Sequence, residues 1–393
     1  MRHGLGWYGA AVAVFVFGVG ASAVQAQLMI VGNDEKITFD ENNKAVNHEP
    51  GKDSVSIVDI SKPDAPKIVA TFPLANSIVG PPTNLAIHPS GEIALIANSV
   101  NPEKEGDVWK NVPDDKISVI DLKASPPKVI ATVNAGKQAS GMAIAPKDDI
   151  ALVANRAAGS VSVLSIKGKE VKVIDTVEIG AAADQVSTVA ITPDGKRALA
   201  VKSAANKVAL LSIDGEKVTY DKRDLPPGIY PYNVGVTPNG KLAITADNGA
   251  GGGSDGNVDC VSVNDLEANP PRVIDHVVIG DAPEGFAISP KGDFAVAVLL
   301  QGSNADKKAP HYHPTGAVVA LKIDGKKVTK TGEVQVGGLP EGVAFSADGS
   351  YLYVGNFIDQ DMSILKVDGD KLTDTGKRFK LPGHPASMRS GPQ

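Results

Sequence analysis

Asp53-Ser-Val-Ser-Ile-Val-Asp-Ile60 is one copy of a phrase that the chain repeats. Asp115-Lys-Ile-Ser-Val-Ile-Asp-Leu122, Gly159-Ser-Val-Ser-Val-Leu-Ser-Ile166 and Asn206-Lys-Val-Ala-Leu-Leu-Ser-Ile213 follow it. Gly256-Asn-Val-Asp-Cys-Val-Ser-Val263, Gly316-Ala-Val-Val-Ala-Leu-Lys-Ile323 and Gln360-Asp-Met-Ser-Ile-Leu-Lys-Val367 complete the set of seven. Each copy is extended and rich in β-branched residues. A repeat of this period marks sheet units that bury their faces only by stacking on one another. A second phrase precedes the first, as in Leu85-Ala-Ile-His-Pro-Ser-Gly91, Val189-Ala-Ile-Thr-Pro-Asp-Gly195 and Phe286-Ala-Ile-Ser-Pro-Lys-Gly292. It reads as a short apolar strand running into a turn, where Pro presets one dihedral and Gly accepts the positive one. Another strand follows that turn, and a more polar one, such as Lys128-Val-Ile-Ala-Thr-Val133, follows the opening phrase.

Four strands per unit and seven units predict an all-β fold, a seven-bladed β-propeller of four-stranded antiparallel blades. The inner-strand phrase occurs complete only six times. Pro385-Ala-Ser-Met388 matches Pro340-Glu-Gly-Val343, so the C-terminus supplies the seventh inner strand of a blade whose other strands begin at Leu28. A blade shared between the N- and C-termini leaves no lone edge at the seam.

Met1-Arg-His3, an apolar stretch and the small-residue end Ala21-Ser-Ala-Val-Gln-Ala26 read as a signal peptide over residues 1–26, with a single propeller over 27–393. This predicts a periplasmic or secreted protein with no stable membrane span after cleavage; the rival reading is an uncleaved anchor. The formal charge of -6, without a basic run, argues against a nucleic-acid partner and leaves a small molecule or an envelope protein. The single cysteine excludes an internal disulfide. Aligned with Ile57, Val119, Val163, Leu210, Ala320 and Ile364, Cys260 is expected to be a small core residue.

Tyr353-Val-Gly-Asn356 resembles the Tyr-Val-Thr-Asn phrase of the YVTN-repeat propellers, with looser copies at Leu152-Val-Ala-Asn155, Leu95-Ile-Ala-Asn98 and Ile30-Val-Gly-Asn33. The resemblance spans the mature chain and implies the propeller fold. Related lactonase-like propellers include 6-phosphogluconolactonases and carboxymuconate-cyclising enzymes; other relatives are surface-layer proteins. No short motif transfers catalytic residues, and no Gly-x-Ser-x-Gly is present.

The long insertions 34–52, 99–114, 248–257 and 300–315 all fall on one face, where function is expected. Glu284 and Glu341 open adjacent inner strands at the mouth of the central channel, in a column with Thr83, Ser140, Ser187, Tyr232 and Ala386. They are candidate acid and base, with backbone bonding to a neighbouring blade as the structural alternative. The second strands end in Asn33, Asn98, Asn155, Lys202, Asp247, Leu299 and Asn356, a column whose asparagines suit turn bonding. Arg156, Lys202, Tyr232 and Asp247 are candidate ligand-binding residues for an anionic small molecule. His48, His311, His313 and His384 share that face and form either a candidate divalent metal site for Zn or Cu, or solvated loop residues. Three readings stay open: a lactonase-like hydrolase requiring no cofactor, a non-catalytic binding or scaffold propeller of the envelope, and a metal-dependent oxidase or binder using the histidines.

Overall fold

Strand alternation turns Met29 toward one neighbouring blade and Ile30 toward the other, and both are fully buried. The same alternation around the ring builds a seven-bladed propeller of four-stranded antiparallel sheets. The computed structural model describes Met1, residues 27–147 and residues 149–391. Apart from Met1, the expected signal peptide lies outside these residues. Among the described residues no helix is long and apolar enough to cross a membrane.

Blade 1 is the shared blade: Pro385–Ser390 is its inner strand, followed outward by Leu28–Asn33, Ser54–Asp59 and Lys67–Pro73. Met29 pairs with Ser390 on one side and Val58 on the other, so the N-terminal strand is held from both edges. Blades 2 to 7 begin with inner strands Leu85–Ile87, Ala139–Ile144, Val186–Ile191, Pro231–Val236, Pro283–Ile288 and Pro340–Phe345. The core is divided into slabs, one between each pair of neighbouring blades, as where Leu152 and Val163 of blade 3 meet Ala198 and Leu211 of blade 4. Two of the long insertions fold into small hairpins, Ile37–Phe39 with Ala45–Asn47 and Val100–Glu105 with Val108–Pro113.

The structure corrects the register of one repeat. Cys260 pairs with Asp247, as Ser54 pairs with Asn33 and Ser160 with Asn155. The fifth copy of the phrase therefore begins at Asp259, three residues later than its sequence alignment. An odd shift moves each side chain to the opposite face of the sheet. Val258 is 71% exposed and precedes the strand, while the buried alternation starts at Val261. Cys260 is consequently a half-buried residue at the strand's start rather than a core residue.

Loop 34–52 is anchored by a buried cation. Lys36 Nζ, 0% exposed, lies 2.7 Å from Asp53 Oδ2 and 3.5 Å from Asp34 Oδ1, and donates to the Asn76 carbonyl. Burial pushes the Asp34 carboxyl up to about 6 even though the Lys36 charge pulls it down. Lys36→Met leaves two buried carboxylates without their cation and is expected to cost ~3–5 kcal/mol, read as a lowered denaturant midpoint. Adding Asp34→Asn and Asp53→Asn should recover part of that loss. A Lys36→Met protein as stable as the parent would show that the network does not anchor the loop.

Candidate functional site

The inner strands leave their ladders at the channel mouth. Pairing with the second strand shifts between Pro283 and Phe286, between Pro340 and Val343 and between Pro231 and Asn233. Such bulges re-aim side chains, and Glu284, Glu341 and Tyr232 occupy these three irregular segments. All three are buried. Gly285 permits the close approach of blades 6 and 7: a Cβ there would lie 2.2 Å from the Glu341 carbonyl oxygen. The two carboxyl groups thus meet across a blade interface.

Asn248 Nδ2 donates to Glu284 Oε1 at 3.3 Å, and Asn233 Nδ2 donates to the Glu284 carbonyl at 3.3 Å. Glu341 Oε2 is buried without a hydrogen-bond partner. Burial raises the proton affinity of both carboxyls. The Arg156 charge and a hydrogen bond from Glu341 restrain the rise at Glu284, while the charge of Glu284 drives Glu341 well above the ordinary glutamate value. Two like charges in one buried space oppose each other, so the pair holds a proton that a solvated glutamate would release. Burial, then the Glu284 charge, also holds the Tyr232 phenol neutral.

Blades 3 to 5 give the mouth a polar rim. The Arg156 guanidinium lies 5.6 Å over the Tyr232 ring and donates from Nη2 to Gln185 Oε1 and Tyr230 Oη, each at 2.9 Å. Tyr230 stacks on Tyr232 with centroids 6.2 Å apart. Gln185 and Tyr230 immediately precede inner strands and have left-handed φ values of 53° and 50°, uncommon for residues with a side chain. Both are half-buried, so this side reaches solvent. Across the axis, the Thr83 and Thr188 hydroxyls of blades 2 and 4 meet at 2.9 Å.

Blades 6, 7 and 1 give an apolar rim of Ala282, Leu300, Leu339, Phe357 and Ala386, on which Phe39 packs. The Phe39 and Phe357 rings meet edge to face at 6.0 Å. Phe39 belongs to loop 34–52, which reaches past blade 7 to loop 300–315: Asn43 Nδ2 donates to the Ser303 and Ala305 carbonyls at 2.8 Å. Loop 248–257 joins them where the Gly302 amide donates to Ser254 Oγ at 2.7 Å. Asn47 Nδ2 also bonds the Trp109 carbonyl in the hairpin of blade 2. The insertions are knitted into one cover.

Of the residues singled out from sequence, the structure brings Glu284, Glu341, Arg156 and Tyr232 together. Lys202 lies elsewhere, with Nζ bonded to Asp224 Oδ2 at 2.6 Å and the Ile179 carbonyl at 3.2 Å. Asp247 accepts from Ser262 Oγ and from the Gly228 amide. The histidines are not gathered into a metal site. His48 bonds Thr38 at 2.6 Å, His384 sits between Glu35 and Gln360 at 2.9 Å each, and His313 bonds the Thr315 carbonyl at 2.7 Å. His311 packs near Gly256. Each imidazole of His48, His313 and His384 is engaged within its own surroundings although the loops themselves meet. Gln185, Tyr230, Asn233 and Asn248 are site residues that sequence reasoning missed, although each lies within two residues of a column already aligned. A cavity of about 370 Å³ lies away from the mouth, between blades 4 and 5, lined in part by Arg197, Leu210, Lys222, Arg223 and Pro271.

No protein-family model and no curated protein matches the chain. Many solved structures do. A candidate 6-phosphogluconolactonase from Bacteroides fragilis is 17% identical with a TM-score of 0.67, covering 95% of this chain and 99% of its own. The periplasmic gluconolactonase of Pseudomonas aeruginosa is 17% identical with a TM-score of 0.67, covering 93% and 99%. Kuenenia stuttgartiensis hydrazine synthase is 20% identical with a TM-score of 0.59, covering 80% and 90%. These likenesses establish the fold, a seven-bladed propeller like that of the 6-phosphogluconolactonase-like structures; the YVTN resemblance rests on the residues quoted above.

The raised proton affinities carry a stability signature. Above the ordinary glutamate value of 4.5, the native carboxyls keep protons that the unfolded chain releases. The native state then binds more protons, and stability falls as pH rises. The denaturant midpoint should decline between about pH 5 and pH 8, and Glu341→Gln should flatten that decline. An equal slope in parent and variant would rule out a shared proton.

Proposed function

We propose that the chain is an exported hydrolase of the lactone class, acting at the channel mouth between the polar and apolar rims. The observation that carries this reading is the buried pair Glu284 and Glu341, whose proton affinities are both raised, beside the Arg156 guanidinium. Two carboxyls that hold a proton between them are suited to act as base and acid. Glu284 takes a proton from water as the water oxygen attacks the lactone carbonyl. Glu341 gives its proton to the ring oxygen as the ring C–O bond breaks, releasing a hydroxy acid. Arg156, held by Gln185 and Tyr230, is placed to bind a carboxylate or phosphate on the substrate or the carboxylate of the product. The names of two similar structures, a gluconolactonase and a candidate 6-phosphogluconolactonase, support a sugar lactone as the first substrate to try. The resemblance to export signals at residues 1–26 supports a periplasmic setting.

A second reading, a propeller that holds a small molecule without converting it, draws on the cover that Phe39 and Asn43 fasten over the mouth. A panel of sugar and simple γ- and δ-lactones, assayed by acid release with the mature protein, separates the two. Glu284→Gln should lower turnover by about 100-fold or more, and Arg156→Ala should raise KM chiefly for anionic lactones. Undiminished turnover in both Glu284→Gln and Glu341→Gln would remove the pair from the mechanism. Lactone binding without turnover in the parent would favour the second reading.

A further inference from the structure

Two asparagines of the column bond alike. Asn155 Nδ2 donates to Ser160 and Ser162 at 3.0 Å, and its Oδ1 accepts the Gly136 amide; Asn356 does the same with Asp361, Ser363 and the Gly337 amide. The serine of the third strand faces a residue of the fourth: Ser56 faces Thr71, Ser118 faces Thr132 and Ser162 faces Thr176. In blade 5 three members of this arrangement change together. Asp247 replaces the asparagine, Cys260 replaces the serine seen as Ser54 and Ser160, and His276 replaces the threonine. Each change puts a metal-ligand side chain where blades 1 and 3 have a hydrogen-bonding one.

One ligand atom each from Asp247, Cys260 and His276 lies within 4.8 Å of the other two. Among the described residues this is the group whose ligand atoms converge in that way. Ser262 lies among them, donating to Asp247 Oδ2 and standing 2.8 Å from His276 Nδ1. Asp247 Oδ1 is buried without a hydrogen-bond partner. Asp247 is buried, Cys260 half-buried and His276 exposed on the outer strand, so the cluster opens to solvent on one side.

We propose that Asp247, Cys260 and His276 form a binding site for a divalent transition-metal ion of the zinc type. A thiolate, an imidazole and a carboxylate are the donors that such an ion accepts, with water as the fourth ligand. Binding releases the thiol proton, so affinity rises with pH. The site lies in the outer part of blade 5 and does not depend on the chemistry proposed for the channel mouth.

The single cysteine makes the test specific. Untagged mature protein, stripped with chelator, is titrated with Co²⁺ while the near-ultraviolet thiolate-to-cobalt charge-transfer band is recorded. One equivalent should give the band, and Zn²⁺ should abolish it. Cys260→Ser, His276→Thr and Asp247→Asn restore residues that other blades carry, so the sheet should be kept. Cys260→Ser should eliminate the band. His276→Thr and Asp247→Asn should each weaken binding by at least the ~10- to 100-fold seen for loss of an outer-shell partner. No binding, binding without the thiolate band, or a band indifferent to His276→Thr and Asp247→Asn would overturn the proposal.

Discussion

Everything in this molecule hangs on closure of the ring through Leu28–Asn33, a strand paired with Pro385–Ser390 on its inner edge and Ser54–Asp59 on its outer edge. Each blade buries both faces only because a neighbour stands on either side. Closure crowds the axis. A Cβ on Gly342 would lie 2.5 Å from the Met388 amide nitrogen, and one on Gly285 would lie 2.2 Å from the Glu341 carbonyl oxygen. With blades 6 and 7 this close, their bulged strands force the carboxyl groups of Glu284 and Glu341 into one buried space. Burial, and then that proximity, raises the proton affinity of Glu341.

The mouth above them is built asymmetrically. Arg156, Gln185 and Tyr230 line the side of blades 3 to 5 with half-buried polar groups, whereas Leu300, Leu339, Phe357 and Phe39 close the side of blades 6, 7 and 1. The cover over the apolar side is fastened by side-chain bonds to loop backbone, such as Asn43 to Ser303 and Ala305. A charge beneath a partly closed rim feels a low dielectric, which strengthens the pull of Arg156 on Glu284.

The repeat also explains which departures matter. In the second-strand column Asn33, Asn155 and Asn356 donate to side chains of the third strand, Asn155 and Asn356 also accept a glycine amide, and Asn98 bonds Asn101 and Asp114 instead. Blade 4 substitutes a buried ion pair, Lys202 with Asp224. Blade 5 substitutes Asp247, Cys260 and His276, and blade 6 abandons polarity with Leu299 and Val319. The fold, the shared blade and the adjacency of Glu284 and Glu341 were all legible, because they follow from counting and aligning copies. The placement of Cys260 was not: the Gly249–Gly256 run lets the phrase start three residues late, and Val258 mimics the first valine of the strand. Lys36 was equally hidden, since nothing local distinguishes a lysine that will be enclosed by Asp34, Asp53 and Asn76.

The sequence by itself determined the number of blades, their strand order, the seam and the column in which the channel-mouth residues lie, because strand alternation and turn chemistry are local and each copy reports on the others. Only the tertiary structure decided which of those residues meet. His48, His311, His313 and His384 share a face and yet are held apart by their loops, while Asp247, Cys260 and His276, on three different strands, converge. Convergence depends on register, bulges and loop anchoring between segments distant in the chain, and these are set by packing around the closed ring.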